Sequence, residues 1–98
     1  MENKDHIIFK SEDSIWRTLE DGSKKFDYRR YDLADERIYR LSWGRRDGWG
    51  DGLGIIWNED FVSFLNKDTG EFLTFHYCGM EFVPWAPGWC FLLLGHRV

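Results

Sequence analysis

Apolar and polar residues change period along this chain. Ile7, Ile8 and Phe9 form a short apolar run that predicts an opening strand. Ser11 follows as an N-cap residue, with Glu12 and Asp13 in a first turn where the helix dipole favours negative charge. Ile15, Trp16 and Leu19 then give a one-sided apolar stripe, and Gly22 stands where a C-terminal glycine is expected, so the pattern predicts a helix over 12–21. From Lys25 onward the period becomes two. Phe26 and Tyr28 fall on one strand face, and Lys25, Asp27 and Arg29 on the other.

Beyond that strand, 37–43 leans towards β structure, with a short helix over 33–41 as the alternative. Residues 43–54 contain Gly44, Gly48, Gly50, Gly52 and Gly54 and read as a flexible loop carrying Trp49 and two arginines. A hairpin is predicted over 61–82: a strand over 61–65, a turn at 66–70, and a long strand broken at Gly79, where a bulge fits. Pro84 and Pro87 stiffen the next loop, in which Trp85 is expected to be partly exposed and Trp89, just beyond it, to join the core. The continuous apolar run over 89–94 predicts a central strand covered on both faces. The fold class is therefore α+β and β-rich: an open β-barrel of five or six mostly antiparallel strands with one short N-terminal helix.

At 98 residues the chain is read as one domain, 1–98. An apolar fraction of 43% excludes a disordered tail, and 18% aromatic residues point to a core of large flat side chains. No apolar stretch is long enough to span a bilayer, and the opening Met-Glu-Asn-Lys-Asp has no hydrophobic region of the signal-peptide kind, so a cytoplasmic setting without a membrane is expected. The net charge of −4 argues against a protein that coats duplex nucleic acid. Its distribution changes that picture locally. Residues 24–46 hold eight basic and four acidic side chains, interleaved with Tyr28, Tyr31, Tyr39 and Trp43. A basic and aromatic patch of this kind suits a single nucleotide or a short single strand; equally, its arginines can pair with neighbouring acids on a solvated face.

Cys78 and Cys90 are read as reduced core thiols. His76, Cys78, Cys90 and His96 supply two His and two Cys, but their spacing is not that of a zinc site. No metal and no cofactor is expected.

The order of these motifs resembles the ASCH domain, a PUA-like β-barrel. Gly22, Lys24, Phe26, Asp27 and Arg29 fall in the slots of its hallmark, with Asp for the usual Glu. Residues 58–71 resemble its following strand and hairpin turn, and 87–95 its closing strand. The segment 32–57 is longer than the usual connection. The resemblance implies binding of RNA or a modified base in a cleft between helix and barrel mouth. It also implies an alternative, a small amidohydrolase of the N4-acetylcytidine type. For that activity the catalytic Lys matches Lys24, while Asp27 stands where the family has a Thr.

The residues themselves offer two readings of Asp27 and Arg29. They can form an internal ion pair that holds the barrel mouth. Alternatively, Arg29 presents a bidentate fork to a phosphate or base edge while Asp27 accepts from an exocyclic amine. In the second reading Lys24 and Lys25 add charge, and Trp43, Trp49 or Trp85 supplies the stacking face. The expectation is a small nucleic-acid- or nucleoside-binding module. Two alternatives accompany it: the hydrolase, with Lys24 and Asp27 as its candidate catalytic residues, and a protein-interaction module of a phage or mobile element contacting a partner through the glycine-rich loop over 44–54.

Overall fold

The computed structural model describes residues 6–46 and 55–98. Among them the elements run β1 (Ile8–Ser11), α1 (Asp13–Glu20), β2 (Phe26–Arg30), α2 (Glu36–Ser42), β3 (Gly44–Arg46), β4 (Ile55–Trp57), β5 (Phe61–Asn66), β6 (Phe72–Phe82) and β7 (Trp89–Arg97). Five strands make one curled sheet in the order β1-β5-β6-β7-β2, parallel between β1 and β5 and antiparallel elsewhere. β3 and β4 pair as a separate two-stranded ribbon. The result is a β-rich α+β open barrel. No helix among the described residues is long and apolar enough to cross a membrane.

Helix α1 buries Trp16 and Leu19 against the sheet, and the Trp16 indole N–H donates to the carbonyl of Phe64 on β5 at 3.0 Å. Its end is closed as the sequence implies: Gly22 takes φ +79°, and the Lys24 amide returns to the Thr18 carbonyl at 3.0 Å. Its start differs. Ser11 is not the cap but the last residue of β1, registered against Asn66. Glu12 is the N-cap without a side-chain bond, and the Asp13 amide instead donates to the Asp68 carboxylate, 2.9 Å away in the β5–β6 turn. A cap supplied from 55 residues away has no local sequence signal.

The strand-leaning reading of 37–43 is replaced by helix α2. Asp35 caps it by accepting from the Arg37 amide at 3.0 Å, and Ile38 and Leu41, three apart, are both buried. The Tyr77 hydroxyl on β6 donates to the Leu41 carbonyl at 2.7 Å, which ties the last turn of the helix to the core. The stretch read as a loop over 43–54 begins in β3; 47–54, with Trp49, lie outside the described residues.

The hairpin of β5 and β6 forms as expected. Gly79 ends an irregular stretch of β6: the β6–β7 register shifts between Phe75 and Tyr77 and again between Tyr77 and Gly79, and Gly79 adopts φ +127°. A Cβ there would also stand 2.6 Å from the Trp57 ring, so both conformation and space require glycine.

Strand β7 corrects the sequence reading twice. It is not central, since β6 occupies the middle of the sheet. It is not covered on both faces either. Cys90, Leu92 and Leu94 point into the core, while Trp89, Phe91 and Leu93 are only half-buried on the outer face. Trp89 therefore belongs to that outer face and not to the core. A continuous apolar run matched the both-faces pattern because the outer positions, too, are apolar, shielded by aromatic rings from β2.

Candidate functional site

Strands β1 and β2 are the two edges of the curled sheet, and side chains join them. The carbonyls of Ile7 and Ser11 accept from Ser63 and Lys67, so those of Ile8 and Lys10 face the open edge. Arg37 donates to the Ile8 carbonyl at 2.7 Å, and Arg29 to the Lys10 carbonyl at 3.3 Å and the Ser11 hydroxyl at 3.1 Å. Both guanidiniums lie over the buried Phe9 ring, 4.7 Å (Arg29) and 4.3 Å (Arg37) from its centroid. Arg37 is held in a two-bond fork by Asp35, at 3.0 and 2.7 Å. Arg29 is held by Asp27, on its own strand face.

Asp27 is 3% exposed. The alternation of β2 is therefore as the sequence implies, with its polarity inverted: the charged face turns inward and the aromatic face, Phe26 and Tyr28, turns out. Burial pushes the Asp27 carboxyl above the usual carboxylate range, against the opposing pull of Arg29 and Lys24. Cys90 stands beside Arg29 on the neighbouring strand β7, and burial pushes its thiol up to about 11, with Asp27 adding to the effect.

Two concavities flank this seam and share Tyr28 and Arg29. The first, about 380 Å³, is lined by Lys10, Ser11, Glu12, Ile15, Lys24, Asp27, Tyr28, Arg29 and Lys67. The second, about 320 Å³, adds Arg30, Asp32, Asp35, Arg37 and Trp89. Together they carry six cations and four carboxylates, an excess of positive charge in an acidic protein. Asp27 and Asp35 are engaged by Arg29 and Arg37, and Glu12 lies 3.6 Å from Lys67. Among the described residues Lys10 and Lys24 have no ion-pair partner.

Three of the residues singled out from the sequence, Lys24, Asp27 and Arg29, thus line one concavity. The others do not. Lys25 opens onto a different hollow with Leu94 and Arg97. Trp43, 55% exposed, stands beside Tyr39 and the β3–β4 ribbon. Trp85, 77% exposed, lies by the outer sheet face, its ring 6.4 Å from that of Phe91. Among the described residues no tryptophan lines the Lys24 concavity; its aromatic wall is Tyr28.

Lys10 and Lys67 were not singled out from the sequence. They arrive because β1 and the β5–β6 turn are brought against α1 by parallel pairing, a long-range event. A second buried ion pair was missed for the same reason. Arg40 of α2 donates to Glu59 at 3.0 Å, and the Asn58 amide adds a bond at 2.9 Å. Among the described residues no group of three or more His, Cys, Asp or Glu is placed to hold a metal. No protein-family model, curated protein or solved structure matches the chain.

Proposed function

We propose that this domain binds a nucleotide, a modified base or a short single-stranded RNA in the groove along the β1–β2 seam. The observation that carries the reading is the convergence of Lys24, Asp27 and Arg29 with Lys10, which has no ion-pair partner among the described residues, on one concavity of nucleotide size. Lys10, Lys24 and Lys67 would meet phosphate, and Tyr28 would stack on a base. The ASCH-like order of motifs in the sequence implies the same class of ligand. Binding without turnover is favoured over amide hydrolysis, because the Asp27 carboxylate is buried and engaged by Arg29 and so is poorly placed as a nucleophile or base.

The test is titration of cytidine monophosphate, N4-acetylcytidine and an eight-nucleotide single-stranded RNA into the protein and into a Lys10→Glu/Lys24→Glu variant. Binding of at least one ligand, weakened ten-fold or more in the variant at unchanged melting temperature, is the expected result. No binding of any of the three would overturn the reading, and release of acetate from N4-acetylcytidine would establish the hydrolase in its place.

A further inference from the structure

The outer face of β2 and β7 carries a row of aromatic rings, of which the seam concavities take in Tyr28 and Trp89 but not Phe26, Phe91 or Trp85. Antiparallel partners share a face, so Tyr28 stands opposite Phe91, and Arg30 opposite Trp89. The Tyr28 and Trp89 rings are parallel within 4° at 4.8 Å, Phe26 meets Phe91 edge-on at 4.9 Å, and Trp85 extends the row beyond Phe91. Phe26 and Tyr28 both stay 38% exposed.

Cations bracket these rings. Phe26, Tyr28 and Arg30 are alternate residues of β2, and Lys24 stands two residues before its start. The Lys24 ammonium lies 5.5 Å from the Phe26 centroid, and the Arg30 guanidinium 5.8 Å from that of Trp89. Among the described residues neither cation is ion-paired. At strand rise, the six-residue step from Lys24 to Arg30 spans at most roughly 20 Å. That length holds about two or three stacked bases with a cation at either end.

We infer that this outer face is a base-stacking platform for a single-stranded nucleic acid, its bases laid on Phe26, Tyr28 and Phe91 and its phosphates met by Lys24 and Arg30. Tyr28 and Lys24 line the seam groove as well, so a chain can pass from the groove onto the platform. The inference rests on the nucleic-acid reading of the groove and deepens it: the ligand is an oligonucleotide, not a free nucleotide. Charge complementarity selects this occupant. Aromatic rings and arginine suit a protein interface as well, but a protein partner would have to bury Lys24, a residue type depleted there, and supply acids to both Lys24 and Arg30. Glu81, exposed and paired in register with Phe91, marks the acidic border of the platform towards β6.

The experiment compares an eight-nucleotide oligouridine with uridine monophosphate. The intact protein should bind the oligomer at least ten-fold more tightly than the monomer, with quenching of tryptophan fluorescence. Phe26→Leu and Phe91→Leu should each weaken the oligomer ten-fold or more and leave the monophosphate unchanged. Arg30→Ala should flatten the salt dependence of oligomer binding by about 0.7 in log–log slope. Glu81→Lys, which alters no ring, should tighten the oligomer and keeps the test open should a ring variant unfold. Equal affinity for oligomer and monomer, or oligomer binding indifferent to all four changes, would overturn the platform while the groove reading stands. Failure of both probes to bind would overturn the platform, and failure of cytidine monophosphate and N4-acetylcytidine as well would overturn the groove with it. Self-association abolished by Phe26→Leu, without oligomer binding, would assign the face to a second copy of the chain and overturn the inference.

Discussion

Arg29 and Lys10 sit on the two edge strands of the sheet, and the Arg29 guanidinium donates to the Lys10 carbonyl at 3.3 Å where no backbone ladder joins the strands. The same guanidinium bonds Asp27 and the Ser11 hydroxyl, so one side chain neutralises a buried carboxylate and bridges the barrel opening. Edge strands need such protection, because their unpaired amides and carbonyls invite pairing with other chains.

Truncation of Arg29 tests that role. Arg29→Ala leaves Asp27 buried without its partner and frees the Lys10 carbonyl, and should lower stability by about 2–4 kcal/mol in urea unfolding. A loss below about 0.5 kcal/mol would show that the seam contributes little. Because Arg29 also lines the groove, Lys10→Glu/Lys24→Glu is the cleaner probe of binding.

The raised Asp27 carboxyl has a pH signature. A native pKa above the unfolded value near 3.8 means that, between the two, the folded chain holds more protons than the unfolded chain. Asp27 therefore favours folding below about pH 3.8, and that contribution is lost as pH rises through its native pKa. Asp35, held below the usual range chiefly by its bond from Arg37, acts in the opposite sense and loses its contribution as pH falls. The stability of wild type relative to Asp27→Asn should accordingly decline from pH 3.8 upward and then level. A difference that rises with pH over that window would contradict the burial argument.

The two thiols should react differently. Cys78 is exposed, whereas Cys90 is buried with its thiol pushed up to about 11. Ellman's reagent at pH 8 should titrate one thiol quickly in the folded protein and two after denaturation, and Cys78→Ser should abolish the fast phase. Two fast thiols would mean that β7 opens readily.

Gly79→Ala combines φ +127° with a Cβ 2.6 Å from the Trp57 ring, so it should cost about 2–4 kcal/mol and perturb the tryptophan near-ultraviolet signal. Gly70→Ala, at φ +80° but with nothing near its Cβ, should cost about 1 kcal/mol. Equal losses would show that backbone conformation alone governs both sites.

Tyr77→Phe removes the donor to the Leu41 carbonyl, a buried acceptor in the last turn of α2. A loss of about 1–2 kcal/mol in thermal or urea unfolding is expected. An unchanged midpoint would mean that the α2 terminus finds another donor.

Local chemistry was legible in the sequence wherever neighbours in the chain decide the outcome. The helix stop at Gly22, the period-two alternation from Phe26, the hairpin turn at 66–70 and the irregularity at Gly79 all arise from backbone preference and spacing. So did the meeting of Lys24, Asp27 and Arg29, which lie within six residues of one another. What only the tertiary structure decided was which side of each pattern faces in. Alternation fixes the pairing of residues on a face but not its sign. Asp27 is buried and Phe26 and Tyr28 are exposed because the sheet curls so that the Asp27 side of β2 faces the β1 edge, where Arg29 bonds the Lys10 carbonyl and the Ser11 hydroxyl and pairs with the carboxylate. The two-sided apolar run of β7 likewise did not reveal that one face is covered by rings from β2 instead of a second layer. Lys10, Lys67 and the Asp68 cap came from the parallel β1–β5 pairing, which joins residues more than fifty positions apart, and contacts of that range leave no periodic trace in the chain.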